Sequence, residues 1–238
     1  VPEPTALDLW TRLADAAGRT LSPAQVAALD GYLDLLLEAN QRMNLTRIDD
    51  RGSAEIEHVA DALSLLRHLP AGRRVADVGS GGGVPGLPLA IVCPEREVTL
   101  IDSTGKKVDF LRRTADALGM GNVRTLAARA EDVGRGAARE SFDVVVCRAV
   151  SEVVWLAEWC LPLLKVGGTL LAMKGPKAAE ELARAGEAIR RIGGGRSEIL
   201  PVDCPELPGR SILRIAKTRA TDPAYPRSAS VAKRRPLG

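Results

Sequence analysis

Residues 74–90, RVADVGSGGGVPGLPLA, carry the strongest structural signal in the chain. Arg74 to Val78 is a short apolar run of the kind that forms a buried strand, and it ends in Asp77-Val78-Gly79-Ser80-Gly81-Gly82-Gly83. Glycine serves where the backbone turns sharply and must let a ligand approach with no Cβ in the way. Pro85-Gly86 and an apolar turn come next. The stretch therefore reads as strand, glycine-rich turn and helix N-terminus, a nucleotide-type site at the carboxyl edge of a parallel sheet. The next apolar run, Val98 to Ile101, ends in Asp102. It lies about twenty residues on, where a Rossmann-like fold places the carboxylate that takes hydrogen bonds from a ribose.

Three kinds of glycine loop compete for this stretch. A phosphate-gripping loop needs Gly, four residues and Gly-Lys-Ser/Thr; no stretch fits, and Gly105-Lys106-Lys107 lacks the hydroxyl. The dinucleotide pattern Gly-x-Gly-x-x-Gly fails from Gly79 because position 84 is valine, although it can be laid on Gly81, Gly83 and Gly86 with Pro85 inside the turn. The pattern acid-x-Gly-x-Gly-x-Gly is met by Asp77, Gly79, Gly81 and Gly83, with Asp102 downstream. It resembles motif I and the motif II acid of class I S-adenosylmethionine-dependent methyltransferases. With no pyrophosphate to hold, the glycines would make room for the methionine part while Asp102 grips the ribose.

Outward from this loop the chain alternates as a doubly wound sheet demands. Helices are expected at 86–93, 104–118, 152–164 and 177–192, and strands at 98–101, 122–127, 142–147 and 169–173. Two further strands, 197–202 and 211–216, are expected to close one edge as a hairpin. The expected fold class is α/β: a Rossmann-like, seven-stranded, mainly parallel sheet with an antiparallel edge strand, as in a class I methyltransferase. Ahead of it, helices at 5–17, 22–42 and 53–69 form a helical extension, expected to shape the substrate side. Ser22-Pro23 is a helix start, and Val26, Leu29, Leu33, Leu36 and Leu37 recur at helical spacing. The organisation is thus extension 1–72, cofactor domain 73–218 and a low-complexity basic tail 219–238.

Apolar residues make up 45% of the 238, which suits an ordinary globular chain of one α/β domain plus an extension. No apolar run reaches transmembrane length, and the start lacks the basic-then-apolar form of a signal peptide, so no membrane partner and a cytoplasmic location are expected. Cys93, Cys147, Cys160 and Cys204 form no C-x-x-C pair and read as reduced core thiols. With only His58 and His68 in the chain, no metal site is expected. The net charge is +3, and Arg219, Arg227, Lys233, Arg234 and Arg235 stand against Asp222 alone in the tail. The basic excess is therefore a tail property, which suggests either a polyanionic partner or a solubilising tail.

The residues just after the fourth strand set the class of substrate. There is no Asn/Asp-Pro-Pro-Tyr/Phe stretch of the kind that meets an exocyclic amine; the chain has Cys147-Arg148-Ala149-Val150. Cys147 closes an apolar strand and reads as a buried thiol, not a nucleophile. No general base presents itself beyond His58. A ring nitrogen with a free lone pair, such as guanine N7, needs none, because catalysis then rests on in-line positioning. An arginine donating to N7 would block the nucleophile, so Arg148 is expected to orient the cofactor or a phosphate.

Together Asn44-Leu45-Thr46, His58-x-x-Asp61, the 77–88 loop, Asp102-Ser103, Ala130-Glu131, Cys147-Arg148-Ala149 and Met173-Lys174-Gly175 resemble the RsmG (GidB) family. These are bacterial 16S rRNA guanine-N7 methyltransferases acting on the decoding-region loop of the small subunit. The resemblance covers nearly the whole chain, although Ser228-Ala229-Ser230 replaces a more basic, Gly/Pro-containing stretch of the family's tail. It implies S-adenosylmethionine as cofactor and 16S rRNA, or the small subunit, as partner. Cofactor contacts are implied for Asp77, Gly79, Gly81, Gly83, Val84, Asp102, Ser103, Thr104, Ala130, Glu131 and Arg148. Arg148 and Lys174 are the expected catalytic residues. Asn44, Thr46, His58, Lys174, Tyr225 and Arg227 are the expected substrate contacts. Trp155 and Trp159, four apart on a helix, read as core packing. A monomer is expected. The rival expectations are a methyltransferase of another RNA or a small molecule, an RNA-binding module with a vestigial cofactor fold, and a dinucleotide oxidoreductase.

Overall fold

A computed structural model of the chain describes residues 5–237; the outer ends of the extension and the tail, 1–4 and 238, lie outside the described residues. Helix α1 (Ala6–Asp15) opens on a reciprocal capping box between Thr5 and Asp8. Helix α2 (Pro23–Met43) opens on the same device between Ser22 and Gln25, with proline in its first turn. Asn44, at φ 51°, ends it in the left-handed region, where a short polar side chain is tolerated.

The third predicted helix is not one regular helix. It runs as α3 (Arg51–Ala54), a π-helical turn (Glu55–Ala60), α4 (Asp61–Leu63) and a final 3-10 turn (Leu66–His68). Hydrophobic spacing did not show this, because the wide turn still buries Val59 and Ala60 while adding the buried His58. There the Glu57 carbonyl is taken by the Arg148 guanidinium. Such turns gather at functional sites.

The sheet is assembled from β1 (Arg74–Val78), β2 (Glu97–Asp102), β3 (Val123–Ala127), β4 (Phe142–Arg148), β5 (Leu164–Lys174), β6 (Gly194–Pro201) and β7 (Ser211–Lys217). Its order is β3-β2-β1-β4-β5-β7-β6. The first five strands pair in parallel, with Val75 opposite both Val98 and Val144, and β7 runs antiparallel to β5 and β6. The edge strand itself is β6, and the antiparallel β7 lies one place inside it. Strand β5 starts five residues earlier than expected, running straight through Gly167 and Gly168. At Gly168 a Cβ would come within 2.9 Å of the Asp143 carbonyl, so the glycine lets the two strands meet where the register shifts.

Helices α5 (Gly86–Val92), α6 (Gly105–Ala117), α7 (Ala130–Val133), α8 (Val153–Cys160), α9 (Ala178–Arg191) and α10 (Ala229–Arg234) complete the chain. Alternation along the strands divides the core. Val75, Val144 and Val146 face α1, α2, the third-helix segment and α5, whereas Ala76, Val145 and Cys147 face α8 and α9. The N-terminal helices thus share one core with the cofactor loop. The boundary at residue 72 is one of chain order, not of packing. Helix α2 also backs the glycine loop directly: the fully buried Tyr32 hydroxyl donates to the Gly82 carbonyl at 2.8 Å.

The tail is ordered structure, not a loose polyelectrolyte. Arg227 makes two parallel bonds of 2.7 Å to the buried Glu158 carboxylate. Arg139 donates to the Thr221 and Tyr225 carbonyls, Arg135 to that of Pro226, and Trp155 to that of Ala232. Leu237 is buried in the core on the α8–α9 side. Composition could not reveal this, since the partners come from residues 135–158, far away in the chain.

Candidate active site

The glycine loop leaves β1 at the point where strand order reverses between β1 and β4, the expected crevice in an open α/β sheet. Gly79, at φ 73°, and Ser80 donate to the Ile101 carbonyl at 2.8 and 3.1 Å, and the Ser80 hydroxyl donates to the Asp77 carbonyl at 2.9 Å. Gly81 N–H donates to Asp102 Oδ2 at 3.0 Å, and Thr104 N–H donates to Asp102 Oδ1 at 2.8 Å. An ionised carboxylate has about four acceptor positions, so two remain free.

Asp77 lies beneath the loop, fully buried, with Oδ2 taking Gly86 N–H at 3.1 Å and Oδ1 without a partner among the described residues. Burial pushes its carboxyl up to about 7. Its work is to fix the start of α5 against the loop. Gly83 and Gly86 are likewise packing glycines, since a Cβ on them would strike Leu87 at 2.5 Å and Leu100 at 2.3 Å. Val84 is buried in the same core.

Over the loop lies a cavity of about 150 Å³, lined by Val78, Gly79, Asp102, Ser103, Ala130 and Glu131 among others. Glu131 is 6% exposed, and no hydrogen bond or ion pair engages its carboxylate among the described residues. A buried carboxylate with its acceptors open calls for donors from a ligand. At Gly79 a Cβ would lie 2.6 Å from Val150, so the absent side chain keeps the floor open. These residues fit S-adenosylmethionine: Asp102, with acceptor positions open, would take ribose hydroxyls, and Glu131 would take an amino or hydroxyl donor of the nucleoside.

A second cavity, of about 360 Å³, opens beside the first; Val150 lines both, and Asp61, Arg148, Ser151, Lys174, Glu181 and Arg210 line the second. Arg148 leaves the end of β4 toward the N-terminal segment, not toward the glycine loop. It donates to Asp61 Oδ2 at 3.0 Å and meets His58 Nδ1 at 3.0 Å. The other His58 nitrogen lies 3.1 Å from the Thr46 hydroxyl, and Thr46 N–H is held by Asn40. Burial, with Arg148 alongside, lowers the imidazole to about 4, so it is neutral near pH 7. Burial raises Asp61, and the pull of Arg148 and Arg210 only partly offsets it. Lys174 Nζ donates to the Ser151 carbonyl and to Glu181 Oε2, both at 2.7 Å, and Glu181 Oε2 also accepts from Val153 N–H at 3.2 Å.

The structure therefore places Arg148 and Lys174 at the second cavity, with His58 and Thr46 in a hydrogen-bonded chain behind Arg148, and Gly79, Asp102, Ser103, Ala130 and Glu131 at the first. Asn44 serves as the C-cap of α2, and Tyr225 and Arg227 lie where the tail docks. Sequence reasoning missed Glu181, Tyr32 and Glu158. Glu181 is seven residues after Lys174, and only the return of α9 onto β5 brings them together. Cys147 is 1% exposed against Cys160, whose thiol is pushed well up by that contact and by burial. Neither is poised as a nucleophile. Among the described residues no three His, Cys, Asp or Glu converge as a metal site, and no helix is long and apolar enough to cross a membrane.

Residues 25–200 match the family GidB, rRNA small subunit methyltransferase G. The chain belongs to this family. Ribosomal RNA small subunit methyltransferase G of Roseiflexus sp. is 43% identical over 233 residues, covering 97% of this chain and 100% of that protein. Its counterpart in Chloroflexus aggregans is 43% identical over 224 residues, covering 93% and 94%. The GidB assignment carries S-adenosylmethionine-dependent methyl transfer to small-subunit rRNA with it. The fold has wider relatives. A SAM-dependent O-methyltransferase from Thermotoga maritima superposes with a TM-score of 0.51 at 14% identity, over 79% of this chain and 72% of that one. M. jannaschii TYW2 in complex with AdoMet gives 0.51 at 17%, over 71% and 77%. At these identities the likeness is one of fold: a class I methyltransferase sheet.

Proposed function

We propose that this GidB-family protein methylates N7 of a guanine in the decoding-region loop of 16S rRNA, in the cytoplasm, with the target base seated in the cavity bounded by Arg148 and Lys174. The electrostatic state of that cavity carries the reading. Each cation lining it is already paired, Arg148 with Asp61, Lys174 with Glu181 and Arg210 with Glu57 and Asp61, and His58 behind Arg148 is neutral.

S-adenosylmethionine supplies, when bound, a methyl group on a cationic sulfur. The guanine N7 lone pair forms the new C–N bond as the C–S bond breaks, and the positive charge passes to the purine with no proton released. A general base is superfluous. An unpaired cation about 4 Å from that purine would oppose the transfer by about 4 kcal/mol at an effective dielectric of 20. Pairing with Asp61 and Glu181 removes most of that opposition.

Arg148 and Lys174 then act as positioning residues. They grip the 148–152 loop from both sides, through Glu57 and Asp61 on one and Ser151 on the other. That loop carries Val150, the wall between the two cavities, and holds Ala149 at φ 54°. A side-chain-bearing residue in this region stores about 1 kcal/mol and persists only when its surroundings fix it.

The decisive experiment is transfer of a labelled methyl group from S-adenosylmethionine to small ribosomal subunits lacking the modification, with nuclease mapping of the label. Label at one guanine N7 is expected. Label on another atom, or none on subunits or naked rRNA while cofactor affinity is intact, would refute the assignment.

A further inference from the structure

The basic tail invites assignment to RNA alone, yet its helix stands at the cofactor cavity. Ala229 and Lys233, one turn apart on α10, line the same cavity as Asp102, Ser103, Ala130 and Glu131. The helix is carried there by anchors of its own: the Arg227–Glu158 pair before it, Trp155 on the Ala232 carbonyl within it and Leu237 in the core beyond it.

We propose that α10 is the outer wall of the cofactor's nucleoside pocket, so that the C-terminal tail is a cofactor-binding element of this methyltransferase. The inference rests on the S-adenosylmethionine assignment and adds to it a contact surface outside the glycine loop and the strand ends. Three observations meet in it. Ala229 presents a small apolar surface where the flat face of a base needs one. Among the described residues Lys233 forms no ion pair, and it shares the cavity with the Asp102 and Glu131 carboxylates, which form none either. Its charge offsets theirs, which suits a neutral nucleoside that would otherwise lie between two uncompensated anions. Finally, about 150 Å³ is too little room for a whole cofactor, since ligand cavities run from about 300 Å³ upward. Of the walls, β1, β2 and α8 belong to the sheet and its core, whereas the 128–131 segment, Val150 and α10 lie outside it. Held by the few side-chain contacts named above, α10 is the one that moves outward as the nucleoside enters.

The test is calorimetric titration of S-adenosylmethionine into the full-length protein and into Ala229→Trp, with thermal unfolding of both. The larger side chain occupies the nucleoside's place while leaving the Arg227–Glu158 anchor and Leu237 untouched. A loss of affinity of at least tenfold with an unchanged unfolding midpoint is expected. Unchanged affinity in Ala229→Trp would overturn the proposal and leave α10 a surface helix. If the unaltered protein itself failed to bind S-adenosylmethionine, the cofactor assignment would fall instead, so the two failures are distinguishable.

Discussion

Replacing Asp77 by asparagine should change the pH dependence of stability in a direction the structure fixes. The Asp77 carboxyl is fully buried, accepts Gly86 N–H on one oxygen, has no partner for the other among the described residues, and is pushed by burial up to about 7 from its ordinary 3.8. Because the folded value is the higher one, the folded protein binds this proton more tightly than the unfolded chain between pH 3.8 and 7. Stability is thus lost as pH rises through that window. The gap from 3.8 to about 7, at about 1.4 kcal/mol per pH unit, amounts to about 4 kcal/mol. Asparagine keeps an acceptor for Gly86 N–H and never ionises. Urea unfolding of both proteins between pH 4 and 8 would follow the difference. The Asp77→Asn protein should gain on the native one by up to about 4 kcal/mol toward pH 8. Any constant cost of the amide cancels in the slope, as does the titration of His58, which both proteins share. A stability difference that does not move with pH would refute the reasoning, by showing that Asp77 is already ionised with a partner.

His58 should behave in the opposite sense. Its folded value of about 4 lies below the ordinary 6.5, so stability is lost as pH falls through this window, by up to about 3 kcal/mol. An imidazole NMR titration should find the ring neutral at about pH 5.5, and a midpoint near 6.5 would refute its burial beside Arg148. Glu158→Gln strips the carboxylate from the Arg227 guanidinium and should destabilise the protein by about 3 kcal/mol, as breaking a buried pair from one side does. Denaturant unfolding, with proteolysis near Arg227 as a second readout, checks it; an unchanged midpoint would mean that the tail is held by other contacts. Replacing Lys233, Arg234 and Arg235, all exposed, with alanine should flatten the dependence of log affinity for 16S rRNA on log salt by about 2 to 3. An identical slope would remove the tail from the RNA interface.

The helical reading of the extension, the glycine loop with its downstream aspartate and the alternation of strands with helices were legible in the sequence, because each rests on local spacing: period two, period 3.6, or glycine where the backbone must turn. The Asp77 and Gly83 positions were legible as a pattern but not in their work. Whether a loop residue faces a ligand or a core is decided by what packs behind it, and Tyr32, Leu100 and Leu111 come from elsewhere in the chain.

Fold, family and cofactor chemistry can all be read from the linear chain, since they rest on short-range patterns that survive in one dimension. Long-range packing alone sets the direction Arg148 takes, the pairing of Lys174 with Glu181, the π-helical turn that brings His58 to Arg148, and the docking of a basic tail across the cofactor cavity. Each depends on groups 7 to 91 residues apart meeting at about 3 Å or less. In a buried setting, charge and geometry are set by such neighbours, not by order along the chain.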